Sequence, residues 1–391
     1  MPAKITRDSF FWTIALQTVV VNFFLGGFGP AQPLLQADQG TSLTIAGLHG
    51  TAMGLASIAA GLSNPWISHK FGRANAGWIG LIIFIAGVVS ISFLQPVPLT
   101  ILAAAVTGFG TSTVINSFVT ALTGHYGAMA PIALAQANGV ASAGYVFGTF
   151  TIGSIAQEAP DFWRLGLLVI LPLAFYLLFF RRERSNEPHV PTSEGPQGGK
   201  LSKAFWITWF GFVATISTEF ATAFWAAALV RDRTDASAAI STIAIMALGT
   251  GMGIGRFFGG RIMHKLSLDH QLLTILGLQF LGFFGIWFSH TLVISMAMLL
   301  LSGLGISMQF ALTSLRLINH SDNRPDLAIG KSSLAAGIAI GGAPFLLGVL
   351  GDALDISRAY LMVPVLILIA AAIVIAVPAK MSQEELDRLE A

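Results

Sequence analysis

One carboxylate lies within an otherwise apolar stretch of the sequence. Glu219 belongs to the segment STEFATAFW, with FWITWFGFVATI before it and AAALV after it. An ionised carboxylate in hydrocarbon is costly unless it has a partner or takes up a proton. A carboxyl group that meets water alternately from two sides can load a proton on one side and release it on the other. Glu219 is therefore a candidate proton carrier; the alternative is a structural Glu that stays protonated or salt-bridged.

Uncharged polar side chains recur at helical spacing in other apolar stretches. One set, spaced by three, four and three residues, is Thr113, Asn116, Thr120 and Thr123. The other, spaced by four, three and four, is Gln309, Thr313, Arg316 and His320. At these spacings each set lies on one face of a helix. Thr hydroxyls can bond carbonyl groups of their own helix, which amides do less easily. The candidate substrate-binding residues are mainly amides, with two aromatic side chains that either stack on a flat solute or pack: Gln17, Asn22, Asn116, Asn138, Tyr145, Trp225, Gln309 and Thr313.

A cation also lies within an apolar run. Arg256 occurs in GIGRFFGG, where we expect it to stabilise a helix end. The alternative is that Arg256, with Arg316 or Lys331, attracts an anionic solute. We do not pair Arg256 with Glu219, because the two are expected at different depths in their helices.

The composition excludes most soluble functions. Of 391 residues, 54% are hydrophobic and 10% are charged, against about 25% charged in soluble domains. The sequence thus predicts a polytopic protein whose partners are the lipid bilayer and a small-molecule substrate. A net charge of +2 does not argue for nucleic acid, and without cysteine there is no disulfide or thiol chemistry. The glycine-rich segment GTGMGIG lies inside an apolar run and does not open a helix after a strand, so it is not a phosphate-binding loop. No two histidines have the spacing of zinc ligands. We therefore expect no enzymatic activity, no metal and no cofactor, with H⁺ as the coupling ion.

Twelve apolar runs have the length of about 20 residues that a spanning helix needs. They lie near 10–35, 43–66, 75–95, 98–123, 131–156, 162–180, 203–230, 238–262, 270–289, 291–318, 327–350 and 358–378. Between the sixth and seventh is a charged stretch rich in Pro, Gly and Ser. The predicted organisation is an N-terminal six-helix bundle at 1–180, a linker at 181–202, a C-terminal six-helix bundle at 203–380 and a tail at 381–391. We expect runs 3, 6, 9 and 12 to face lipid, because they carry few polar side chains.

Basic residues predict the orientation. Sixteen of the 21 lysines and arginines fall on the side of the termini and linker, and four fall on the other. Because basic loops stay in the cytoplasm, both termini and the linker are predicted to be cytoplasmic in a multi-pass protein of the inner (plasma) membrane.

The two halves repeat each other at an offset of 195 residues. The matching positions are Gly54 and Gly249, His69–Lys70 and His264–Lys265, Gly108 and Gly303, Gly110 and Gly305, Ser112 and Ser307, and His125 and His320. Such matches indicate a parallel repeat related by an axis along the membrane normal.

This arrangement resembles the major facilitator superfamily over essentially the whole chain. The family's loop between spans 2 and 3 has a Gly, then Asp-Arg, then Gly-Arg. Here that loop reads GLSNPWISHKFGRAN, and its second-half copy reads GRFFGGRIMHKLSLDH. The resemblance implies an all-α membrane fold of twelve transmembrane helices in two pseudo-symmetric six-helix bundles. It also implies a gating role for His69, Lys70, Arg73, His264 and Lys265, although a histidine cannot replace the family's acid; otherwise these histidines are ordinary interfacial residues.

The resemblance further implies that spans 1, 4, 7 and 10 line a central cavity. The expected function is a monomeric secondary active transporter that moves a small polar, sugar-like solute by alternating access, with proton symport. Glu219 followed by Trp225 also resembles the fucose-permease-like branch. The alternatives are proton-coupled efflux of amphipathic drugs, organic-anion transport using Arg256, and a non-transporting receptor or scaffold. Efflux is disfavoured because the fifth run lacks the Gly-Pro element of antiporters.

Overall fold

Twelve helical segments long and apolar enough to cross a membrane make up most of the described chain. The structure is a computed structural model, and it describes residues 5–181, 199–322 and 324–379. Most of the predicted linker and the whole predicted tail lie outside the described residues. Within them, spans 1 to 12 are Ser9–Phe28, Leu43–Asn64, Asn75–Phe93, Val97–Tyr126, Ile132–Glu158, Pro160–Phe180, Lys203–Thr234, Ala238–Ile262, Leu268–Phe288, Leu292–Asn319, Lys331–Ala353 and Ile356–Ala376.

The first apolar run forms two helices, so its predicted extent of 10–35 is wrong at the C-terminal end. Span 1 ends at Phe28, and a short helix, Gln32–Gln39, follows. Gly29 keeps helical backbone angles and donates to the Leu25 carbonyl, whereas Pro30 has no amide hydrogen to donate, which ends span 1 there. Pro33 in the first turn of the second helix is tolerated, since the first amide groups of a helix have no partner within it.

Four spans are irregular. Span 6 starts as a 3₁₀ helix over Pro160–Ile170 and continues as the α-helix Leu171–Phe180. The other three are each divided into two α-helices: Ala238–Ala244 and Met246–Ile262 in span 8, Leu292–Ile306 and Gln309–Asn319 in span 10, and Ile356–Ala359 and Met362–Ala376 in span 12. Elsewhere the helices of spans 2, 3, 5 and 11 run over Leu43–Phe71, Arg73–Phe93, Ala130–Glu158 and Pro325–Ala353, and Gly127–Met129 is a 3₁₀ turn.

Glycine contacts reproduce the 195-residue repeat in three dimensions. At three glycines of the first half, an added side chain would collide with a neighbouring residue. Both the glycine and that neighbour recur 195 residues later, where the same contact is made. The contacts are Gly87 with Thr107 and Gly282 with Ser302, Gly108 with Met53 and Gly303 with Leu248, and Gly110 with Phe84 and Gly305 with Gln279. The two halves therefore share one packing scheme, as the sequence offset predicts.

The halves meet along two helix pairs, span 2 with span 11 and span 5 with span 8. In the first pair a methyl group added at Gly54 would collide with the backbone of Gly341. In the second pair, Gly153 packs against Ile243, and Gly249 packs against the ring of Tyr145. Close backbone approach of this kind is typical of helices that pack through small residues in a membrane.

We call the end of the molecule near residues 181 and 199 the linker end, and the opposite end the far end. At the far end Asp352 of span 11 accepts hydrogen bonds from the backbone amides of Leu43 and Thr44 at 2.9 and 2.8 Å. Thr242 of span 8 also donates to the carbonyl of Pro30 at 3.4 Å. The two halves are thus joined by hydrogen bonds across the far end.

Candidate substrate and proton site

Glu219 lies half-buried in the middle of span 7. It is about 24 Å along the helix from Lys203 at 1.5 Å per residue. Within the described chain, no group hydrogen-bonds or ion-pairs with its carboxylate. The charge of Arg256 on span 8 affects that carboxylate electrostatically. Glu219, which the sequence singled out, thus has a carboxylate that accepts no hydrogen bond from the described part of the chain.

Arg256 joins three spans. Its Nη1 donates to Ser142 Oγ of span 5 at 2.9 Å, and its Nε donates to the Ser307 carbonyl of span 10 at 3.4 Å. Since Ser142 belongs to the first half and Arg256 to the second, this contact crosses between the halves. No ion pair or hydrogen bond joins Arg256 to Glu219 within the described chain, although the charge of each affects the other.

Tyr145 completes a group of three polar side chains on spans 5, 7 and 8. The residue is 6% exposed, and its hydroxyl has no hydrogen-bond partner among the described residues. It interacts electrostatically with both Glu219 and Arg256. Gly249 leaves room for its ring on the facing helix. We call Tyr145, Glu219 and Arg256 the central polar cluster.

Three predicted amides lie half-buried on spans 1, 4 and 5. Asn22 donates to the Thr18 carbonyl of its own helix at 2.9 Å, so part of its capacity is used locally. Asn116 and Asn138 make no side-chain hydrogen bond within the described chain. These three amides therefore keep groups that a solute can reach, whereas Gln17 is buried at 3% exposure.

Gln309 and Thr313 are occupied by contacts inside the second half. Gln309 is fully buried, and its Nε2 donates to Gln279 Oε1 of span 9 at 2.6 Å. Thr218 Oγ1 donates to the same Gln279 oxygen at 3.0 Å. Thr313 donates to the Gln309 carbonyl at 2.6 Å. In this conformation Gln309 joins spans 9 and 10, and the Thr313 hydroxyl is taken up by its own helix.

Gln279 is one of the few polar side chains of span 9, which was expected from the sequence to face lipid. It is 1% exposed and bridges spans 7 and 10. The signal that would have found it is the amide itself, which interrupts an apolar run and needs a buried partner.

Trp225 is likewise taken up by packing. The side chain is fully buried, and its Nε1 donates to the Pro344 carbonyl of span 11 at 2.8 Å. The sequence left two roles open for Trp225, stacking on a flat solute or packing between helices, and in this conformation it packs.

Arg316 is committed to an internal ion pair and does not lie with Arg256. Its Nε donates to Asp269 Oδ1 at 2.6 Å, and its Nη2 donates to the Val377 carbonyl at 2.6 Å. The side chain is 2% exposed. It forms one wall of a crevice near the linker end, whose polar lining also includes Thr208, Thr215 and Thr313.

The predicted gating loops lie at the linker end. Lys70 Nζ stands over the ring of Trp66 at 4.9 Å from its centroid. His264 is exposed, and its Nδ1 lies 2.7 Å from the Arg261 carbonyl. Lys265 is exposed, while the side chains of His69 and Arg73 lie outside what the structure describes. The described contacts are local ones within each loop.

The comparisons with known proteins agree with this architecture. The sequence model of the Major Facilitator Superfamily matches residues 14–325. Among solved structures, the xylose transporter XylE from E. coli, in a partially occluded inward open conformation, matches with a TM-score of 0.78 and 13% identity, covering 96% of this chain and 98% of that one. A variant of the nucleoside transporter NupG matches with a TM-score of 0.75 and 10% identity, covering 95% and 100%. Comparison with curated proteins found no match.

At these identities the structural likeness establishes the fold, and the predicted fold class of twelve helices in two six-helix bundles is confirmed. The sequence match extends over most of the 391 residues and includes the repeat and both gating loops. The chain therefore belongs to the Major Facilitator Superfamily and is a multi-pass membrane transporter.

Proposed function

We propose that this protein is a proton-coupled secondary transporter of a small, uncharged polar solute, working by alternating access with H⁺ as the coupling ion. The observation that carries the proposal is the carboxylate of Glu219, half-buried in mid-span without a protein partner. A group in this setting changes its proton occupancy with its access to water and with the charges around it. Glu219 would be the proton carrier, in a monomer whose linker end faces the cytoplasm of the inner (plasma) membrane.

Alternating access is supported by the way the halves meet. The far end is bonded through Asp352, whereas spans 2 and 11 pack less tightly toward the linker end. There a methyl group added at Gly61 would lie 3.9 Å from Ser333 Cβ, an ordinary contact, while at Gly54 it would collide with backbone. This geometry suits a conformation in which the central polar cluster is approached from the linker end.

An uncharged polar solute is supported by the side chains that remain free. Asn22, Asn116 and Asn138 are half-buried amides that present donors and acceptors without net charge. Solved transporters of similar fold are named for xylose and nucleosides, which are polar solutes. Organic-anion transport has less support, because Arg316 is paired with Asp269 and the carboxylate of Glu219 stands near Arg256.

The test is transport by purified protein in proteoliposomes, using a solute identified by a thermal-shift screen of metabolites. We expect an inward proton gradient to drive accumulation by the natural protein. Glu219→Gln should abolish this accumulation but retain exchange of labelled for unlabelled solute, since the amide cannot carry a proton. Glu158→Gln, an exposed acid at the far end of span 5, is the matched control. Gradient-driven accumulation by Glu219→Gln at the natural rate would refute the assignment.

A further inference from the structure

A buried polar network joins span 7 to spans 9 and 10 at the residue before Glu219. Thr218, Gln279 and Gln309 are each no more than 1% exposed. Gln309 Nε2 donates to Gln279 Oε1 at 2.6 Å. The Thr218 hydroxyl lies 3.0 Å from the same Gln279 oxygen and 3.4 Å from Gln309 Oε1. We call these three residues the amide network; it is closed to solvent, so its role lies within the protein.

The amide network is not needed to fill this part of the core. In the first half, Phe84 stands at the position of Gln279, 195 residues earlier. Val114 stands at that of Gln309, and both side chains are buried. Burying amides carries a desolvation cost that apolar side chains avoid, and Gln279 Nε2 is buried without an acceptor in the described chain. The polar version must therefore contribute something other than packing.

The two halves differ in which residue of the first helix of each half faces this contact. In span 1, Phe24 is 1% exposed and packs against Phe84, with ring centroids 5.8 Å apart. The counterpart of Phe24 is Glu219, 195 residues later, which is half-buried. In span 7 the bond to Gln279 comes instead from Thr218. Span 7 thus presents the residue before Glu219 to this contact, and successive residues lie about 100° apart around a helix.

Hydrogen bonds can hold such a rotation because they require a donor and an acceptor within a narrow range of distance and angle. The Gln279 oxygen is held as an acceptor by Gln309. Glu219 in the place of Thr218 would bring an ionised carboxylate, which only accepts, against that oxygen. The amide network therefore favours the rotation of span 7 in which Thr218 faces the core of the second half and Glu219 does not.

We propose that Gln279 and Gln309, acting through Thr218, are positioning residues that hold Glu219 out of the core of the second half and toward the water-accessible space between the halves. This proposal rests on the proposed function, in which Glu219 exchanges protons with water. The amide network sets the rotation of span 7 and carries no proton itself. Without the network, span 7 turns by about one residue, which carries Glu219 into the core and brings Phe220 to its place.

The test measures the reaction of single cysteines with a small charged methanethiosulfonate reagent in the purified full-length protein. Because the chain contains no cysteine, Glu219→Cys and Phe220→Cys each report the water access of one position. We expect Glu219→Cys to react. Added Gln279→Leu should slow this reaction roughly twofold or more and speed that of Phe220→Cys by a similar factor, since it removes the hydrogen bonds that fix the rotation. Thr218→Val, which keeps the shape but loses the hydroxyl, should act in the same way, whereas Thr218→Ser should not.

Opposite changes at the two positions distinguish a turned helix from a loosened one, in which both cysteines would react faster. The control is Gln271→Leu, which removes another amide of span 9, bonded to the Leu266 carbonyl at the linker end, and should change neither rate. The positioning role is refuted if Glu219→Cys does not react, if the two rates change in the same direction or by less than about twofold, or if the control changes them equally. Should Gln279→Leu fail to fold, the comparison of Thr218→Val with Thr218→Ser decides the question.

The cysteine rates do not depend on proton coupling, so the two proposals fail separately. If the rates change as expected but Glu219→Gln still accumulates solute under a pH gradient, the positioning role stands and the proton carrier is wrong. If Glu219→Gln loses accumulation but the cysteine rates do not change, the proton carrier stands and the amide network only packs.

Discussion

Asp352 should hold the far end closed, and removing its carboxylate should shift the protein toward a conformation open at that end. The carboxylate accepts two bonds from the first turn of span 2, at 2.9 and 2.8 Å, and these bonds join the two halves. Because Asp352 is exposed, we assign each bond about 1 kcal/mol, the value for an ordinary hydrogen bond. Asp352→Ala then removes about 2 kcal/mol from the far-closed conformation, which is roughly a 30-fold change in the ratio of the two populations.

Asp352→Asn should have about half this effect, since an amide oxygen keeps one acceptor but not the charge.

The absence of cysteine lets spin labels be placed without removing any native cysteine. Gln95→Cys with His290→Cys reports on the far end, and Lys70→Cys with Lys265→Cys reports on the linker end; all four positions are exposed and repeat-related. Distance distributions from electron paramagnetic resonance should lengthen for the first pair and shorten for the second.

The control is Asp161→Ala, which removes another exposed carboxylate at the far end. If Asp352→Ala leaves both distance distributions unchanged, or if Asp161→Ala changes them equally, the reasoning about this latch is refuted.

Two further predictions concern stability. Asp269→Ala should lower the free energy of unfolding by about 3 kcal/mol, because it leaves the 2%-exposed Arg316 charged without its ion-pair partner. The control is Arg358→Ala, whose ion pair with Asp355 is exposed, so its thermal unfolding should change by under about 1 kcal/mol. Equal changes for the two variants would contradict this prediction. Partial burial raises the pKa of Asp8, but bonds from the Phe11 amide, His125 and Tyr126 lower it more, so the pKa lies below its usual 3.8. The stabilisation by Asp8 is therefore fully present above about pH 4 and lost as the pH falls through the lowered value. Asp8→Asn should melt at a lower temperature than the natural protein at pH 7, and the two melting temperatures should converge in acid. A constant difference in melting temperature across that pH range would refute the prediction.

Hydropathy and repetition predicted twelve spans in two related halves, and the family resemblance implied the fold that these halves adopt. The twelve apolar runs indicate twelve helices, because a span must satisfy its own backbone groups, and the 195-residue offset indicates two halves with matching contacts. The end of span 1 was placed wrongly at residue 35, although Gly29–Pro30 and Pro33 interrupt the run. What hydropathy does not contain is the rotation of each helix about its axis.

That rotation decides which polar residues meet, and so the candidate site was only partly predictable. Glu219 and Tyr145 could be selected by their type, whereas the burial of Gln309 against Gln279 depends on how spans 9 and 10 are turned toward each other. Arg256 was placed correctly within span 8, but its bond to Ser142 follows from the packing of two halves that are distant in sequence. Local spacing carries no information on such contacts.

The glycine contact between spans 2 and 11 has a mechanical consequence. Packed helices usually interlock through ridges of side chains, and turning one against another requires those ridges to climb over each other. Where Gly54 faces Gly341 there is no ridge on either surface. The contact can act as a smooth fulcrum on which one half tilts while its own core stays fixed. The energy needed to move the halves would then reside in the hydrogen bonds that cross between them, such as those of Asp352 and Arg256, where single residues can adjust it.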